Sequence, residues 1–257
     1  MKGRLRRWRR LDPDQRFGLR LTVAGVGLLA VGVPFLVLLV MVRDQWTPLH
    51  SLDLRVANDL HRVASRAPGL VRTLDVISAV FAPIVFRLVA SGVAVWLGIR
   101  RRYRLASWVL VTTWVAAFFG VVTKTLVGRA RPTFGAPVAT APGMSFPSGH
   151  ALGSVVGCGV LLMVFLPLLP RAARRVAVPV AVLIVAAVGF ARVGLGVHYV
   201  SDVLGGWALG LAWLMLTVAA FETWRQETGQ RRTRPVEGEG LEPELAGRPG
   251  VPERRPG

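Results

Sequence analysis

The 257-residue chain has one cysteine, two lysines, two tyrosines and, from Val76 to Phe221, a single acidic residue, Asp202. The lone Cys158 cannot form an intrachain disulfide, which excludes a disulfide-stapled secreted domain. Charged residues make up 18 % of the chain, where soluble proteins carry about a quarter. Together with the acid-free stretch, that excludes an ordinary soluble globule. Apolar residues reach 53 %, which excludes a disordered chain. A polytopic membrane protein remains.

The 32 cations are all arginine except Lys2 and Lys124. A net charge of +18 would suit a nucleic-acid partner, but the basic residues cluster in short blocks between apolar runs. That is how membrane-protein loops look, so no nucleic acid is expected. A transmembrane helix needs about 20 mostly apolar residues. Six runs qualify, at 21–42, 76–99, 105–123, 150–169, 176–193 and 200–221. If they alternate across the bilayer, 22 lysines and arginines fall on the side of both termini and nine on the other. The positive-inside rule then predicts a multi-pass cell-membrane protein with both termini cytoplasmic.

This reading gives three segments. Residues 1–20 form a basic cytoplasmic N-terminus and 21–225 an all-α, six-helix transmembrane domain. Residues 226–257, rich in Arg, Glu, Gly and Pro, read as a disordered cytoplasmic tail. Within the domain, 51–75 reads as an amphipathic helix at the outer interface. Tryptophans such as Trp46, Trp108 and Trp207 read as interface anchors.

Ionisable residues at membrane depth are costly and mark function by default. They fall in three stretches. In the first, Lys124 and Arg131 lie seven residues apart, about two turns, which predicts a shared helical face that Pro132 ends. Both are candidate phosphate ligands, and Arg129 between them reads as a cation reaching the interface. The second is Pro147-Ser148-Gly149-His150. Ser148 suits an N-cap, Gly149 admits close backbone approach, and a helix N-terminus attracts anions. In the third, Arg192 precedes His198 and Asp202. The last two are four apart, which predicts one helical face and a carboxylate that orients an imidazole. All three stretches fall at the extracytoplasmic ends of spans three to six. Two histidines and one aspartate among three cations would repel a metal, so neither metal nor cofactor is expected. Arg87 lies mid-span outside these motifs. It lines the bundle interior or binds a lipid headgroup, or else it is a buried arginine that pairs with backbone carbonyls or water.

Lys-x6-Arg-Pro, Pro-Ser-Gly-His and Arg-x5-His-x3-Asp, in this order, resemble the type 2 phosphatidic acid phosphatase superfamily. That superfamily also includes glucose-6-phosphatase and the vanadium haloperoxidases. The motifs cover residues 105–221, and the six spans extend the likeness to about residue 21. The resemblance implies a metal-independent phosphatase of lipid phosphates. Lys124, Arg131, Ser148, Gly149 and Arg192 would bind phosphate. His198 would attack phosphorus and form a phosphohistidine, with Asp202 orienting it and His150 as the acid. Implied substrates are phosphatidic acid, phosphatidylglycerol phosphate and undecaprenyl diphosphate. Two other functions compete: a phosphotransferase with the same site and a non-water acceptor, and a non-catalytic anion binder. The paired histidines argue against the binder. The chain departs from the family in one place: Ala191 stands where a serine usually precedes the third-motif arginine.

Overall fold

A computed structural model describes residues 13–227, and every regular element among them is helical. The helices are α1 (Pro13–Arg43), α2 (Thr47–Ser65), α3 (Pro68–Val80), α4 (Pro83–Ile99), α5 (Tyr103–Val127), α6 (Gly149–Phe165), α7 (Arg171–Gly194) and α8 (Val200–Glu227). Six stretches are long and apolar enough to cross a membrane. They are α1 from Gly25, α3 with α4, α5, α6 with the short 3-10 turn that follows it, α7, and α8 to Phe221.

Three features depart from the sequence reading. The run 76–99 is not one helix: Pro83 starts a new one, its missing N–H being no loss at a helix N-terminus. α4 alone has seventeen residues, near the short limit for a span, and reaches membrane length with room to spare only together with α3. The amphipathic segment 51–75 is also divided, at Ala67 before Pro68. Its first half, α2, packs against α7 and α8, and its second, α3, against α7. Finally, α5 stops at Val127, because Gly128 takes a left-handed backbone with φ of 63°. Arg131 therefore comes from a loop and does not share a helical face with Lys124. At the N-terminus, helix already begins at Pro13, inside the segment read as a basic extension. The tail expected from 226 lies outside the described residues beyond Glu227.

The core joins α4, α5, α6 and α8 through Leu97, Val109, Val156, Val160 and Leu214. Small residues set the spacing. At Gly157 and Gly159 of α6 an added Cβ would strike Phe86 and Leu214, so glycine lets these helices approach closely. Two tryptophans lie in this packing. Trp108 is buried and donates its indole N–H to the Thr217 carbonyl, and Trp207 covers Gly189. Neither is an interface anchor as expected, whereas Trp46 is exposed.

Candidate active site

Four helix ends meet at one end of the bundle: the C-termini of α5 and α7 and the N-termini of α6 and α8. The loop 128–148 from α5 to α6 covers them. It is held down at Phe146, which is fully buried beside Gly205 of α8. The next glycine brings the Pro-Ser-Gly-His turn onto α8. A Cβ at Gly206 would come within 2.6 Å of the Ser148 carbonyl oxygen, and Ser148 N donates to the Asp202 carbonyl at 2.9 Å. Ser148 caps α6, its Oγ accepting from Ala151 N at 3.4 Å. Gly149 follows as the first helical residue, and His150 stands in the first turn. The guanidinium groups of Arg192 and Arg131 and the imidazole of His198 are neighbours of His150.

His198 is not on a helical face with Asp202. It lies in the turn before α8, while Asp202 lies in the first turn of that helix. The pairing survives because the turn folds back. His198 Nδ1 is 3.4 Å from Asp202 Oδ2, which also accepts from Tyr199 N at 2.8 Å. On the other side, Arg131 Nη1 stands 3.0 Å from His198 Nε2. A guanidinium has only donors, so Nε2 must accept and the ring proton sits on Nδ1, toward the carboxylate. Nε2 thus carries the lone pair, which accepts from Arg131 in this structure. Ser145 supports this arrangement and was not singled out from the sequence. Its Oγ donates to Asp202 Oδ2 and lies 3.4 Å from His198 Nδ1.

The sequence suggests that Asp202 would favour a charged imidazole. Burial outweighs it: desolvation of His198 pushes its pKa down to about 4, against the opposing hydrogen bond and charge of Asp202. A lowered pKa means that the ring is neutral above about pH 4 and gains its proton only below that. We expect 15N NMR at pH 6 to report a neutral His198 with hydrogen on Nδ1. An imidazolium signal there would contradict this geometry. Arg131 is also shifted down by burial, with Asp202 opposing. Burial pushes the Tyr199 phenol up.

The three expected phosphate cations come together around His198 and His150. Lys124 Nζ donates to Met144 O at 2.6 Å and reaches Ser145 O at 3.4 Å. Arg131 also donates to the carbonyls of Val197, Gly143 and Pro142, at 2.6, 2.9 and 3.0 Å. Arg192 donates to Ser78 Oγ at 2.6 Å, but its Nε is buried with no hydrogen-bond partner. Ser78 belongs to α3, just before the Pro83 break. That break brings the cation its partner.

Arg129 needs the largest correction. Rather than reaching the interface, it is nearly buried between two carboxylates, at 2.7 Å from Asp202 Oδ1 and 2.7 Å from Asp53 Oδ2. It donates to Ser201 Oγ at 2.6 Å and lies 4.2 Å over the Tyr199 ring. Asp53, in α2, is buried and also accepts from Ser201 N at 3.1 Å and from Ser201 Oγ. Asp53 was missed, and its partners are 76 and 148 residues away. Among the described residues, no three His, Cys, Asp or Glu side chains gather as a metal site would require.

The chain has matches among known proteins. Residues 105–226 fit the sequence model of the PAP2 superfamily. Over this stretch the chain is similar to that superfamily. Over 104 residues it is 41 % identical to phosphatidylglycerophosphatase B of Bacillus subtilis, covering 39 % of this chain and 50 % of that one. Over 99 residues it is 38 % identical to decaprenylphosphoryl-5-phosphoribose phosphatase of Mycobacterium tuberculosis, covering 37 % and 50 %. The chain thus spans about half the length of the curated relatives it matches. The fold is similar to the crystal structure of a transmembrane PAP2-type phosphatidylglycerolphosphate phosphatase from Bacillus subtilis. The TM-score is 0.66 and the identity 26 %, over 77 % of this chain and 96 % of that one. All three motifs lie within the residues that match the PAP2 model.

Proposed function

We propose that this protein is an integral membrane lipid phosphatase working through a phosphohistidine on His198. One observation carries the reading: Nε2 of His198 holds a lone pair beside Arg131 Nη1, while Asp202 backs the opposite ring nitrogen. A phosphoryl group arriving there meets nucleophile and cation at once. Nε2 attacks phosphorus and the bond to the lipid oxygen breaks. That oxygen takes a proton from His150. Water then attacks phosphorus, His150 takes the water proton, and the phosphorus–nitrogen bond breaks to release phosphate. Lys124, Arg131, Arg192 and the N-terminus of α6 at Ser148 and Gly149 spread the developing charge. Phosphoryl transfer asks mainly for such positioning and charge stabilisation.

Phosphate release by the purified protein, across a panel of lipid phosphates with water as acceptor, tests the reading. Activity should persist in EDTA and be blocked by vanadate, which imitates the five-coordinate phosphoryl group. Activity lost in EDTA and restored by a divalent metal would sink the metal-independent reaction. The charge asymmetry of 22 against nine supports an extracytoplasmic site. A reporter fused after Gly135 should therefore be active only outside the cytoplasm. A cytoplasmic signal would reverse the orientation.

A further inference from the structure

Arg87 is a charged residue in a membrane span that the chemistry above does not use. It lies in α4, four residues inward of Pro83, with its guanidinium 5.7 Å from the Trp114 ring. Its Nε is buried without a hydrogen-bond partner, and among the described residues it makes no ion pair. Among the described residues no backbone carbonyl accepts from its Nε, one of the pairings left open by the sequence.

Arg87 lines a groove of about 210 Å³ between α4, α5 and α6. The groove begins at Lys124 and Gly149, two of the proposed phosphate ligands, and continues inward to Thr113 and Val156. From Lys124 to Thr113 the rise along α5 is ~16 Å at 1.5 Å per residue. The walls are largely apolar, and Val121 on the rim is exposed to the lipid side. A lipid whose phosphate sits among Lys124, Arg131 and Arg192 would lay the portion next to its headgroup along this groove. An arginine there is costly unless it meets an acceptor. A polyprenyl chain offers none below its phosphate. A diacylglycerol offers two ester carbonyls between phosphate and tails, and the Arg87 side chain is long enough to swing from its place by Trp114 toward that layer.

We propose that Arg87 is a specificity residue that hydrogen-bonds an ester carbonyl of the substrate. The substrate class of this site is then a diacylglycerol-based phosphate, in preference to a polyprenyl phosphate. The proposal rests on the lipid-phosphatase reading. Its test compares wild type and Arg87→Met on dioleoyl phosphatidic acid, its dialkyl ether analogue, a polyprenyl phosphate and p-nitrophenyl phosphate. The first two differ only in the carbonyls.

Wild type should show kcat/KM about ten-fold or more higher on the ester than on the ether, the scale of a hydrogen bond to a charged donor. Arg87→Met should level the two by losing rate on the ester. The ratio of polyprenyl to aryl phosphate rates should not move. Equal rates on ester and ether in wild type would overturn the proposal. So would an Arg87→Met loss of equal size on ester and ether, which would mark a structural role or a contact to the headgroup anion. Wild type that cleaves the aryl phosphate but no lipid would instead overturn the lipid-phosphatase reading, and this proposal with it.

Discussion

His198→Ala should abolish both phosphate release and any acid-labile phosphoenzyme, with a loss of about 10⁴-fold or more, as for removal of a covalent nucleophile. The two histidines are not equivalent. His198 has its Nδ1 beside Asp202 and its Nε2 beside Arg131, which fixes one attacking nitrogen. His150 has the N-terminus of α6 and three positively charged or imidazole neighbours, but no carboxylate bonded to it. Its task is the leaving-group proton, and the need for that proton depends on the substrate. An aryl phosphate leaves as a weak base, so His150→Ala should still form phosphohistidine from it. Alkyl phosphates should lose about 10²–10⁴-fold, the usual scale of general acid catalysis. Rapid-quench trapping of the phosphoenzyme separates the roles. Label that survives in His198→Ala and vanishes in His150→Ala would exchange them.

What the sequence reveals about this site is local. Each motif is short, and each lies at the mouth of one apolar run, so the spans and the converging helix ends follow from pattern alone. The errors share one physical origin. Hydropathy registers burial but not backbone breaks, so the run 76–99 looked continuous although Pro83, a helix-starting residue, was in view. Spacing on an ideal helix placed Arg131 above Lys124 and His198 above Asp202. In fact Gly128 ends the first helix early and the second begins only at Val200.

Partners distant in the chain were not legible at all. Ser78 meets Arg192 across 114 residues, and Asp53 meets Ser201 across 148. One signal was available. A lone carboxylate in a membrane core demands a cation, and Arg129 was the nearby arginine left without a role.

Arg129→Met should be the most destabilising substitution in the protein outside its packed core. Asp53, Arg129 and Asp202 together carry a net charge of about −1, with both carboxylates fully enclosed. Removing the cation leaves two buried negative charges with no intervening partner, and breaking a buried pair costs about 3–5 kcal/mol. Asp53→Asn acts in the opposite sense. It leaves the neutral pair Arg129–Asp202, and the amide oxygen can still accept from Ser201 N, so its cost should be clearly smaller. Asp53→Asn placed on Arg129→Met should therefore restore part of the lost stability, a coupling that independent sites would not show. Thermal unfolding in detergent measures all three variants. The same network orients the carboxylate behind His198, so Arg129→Met should lower kcat more than it raises KM. Unfolding of Arg129→Met at the wild-type temperature, or an equal loss from Asp53→Asn alone, would show that the three charges do not act as one unit.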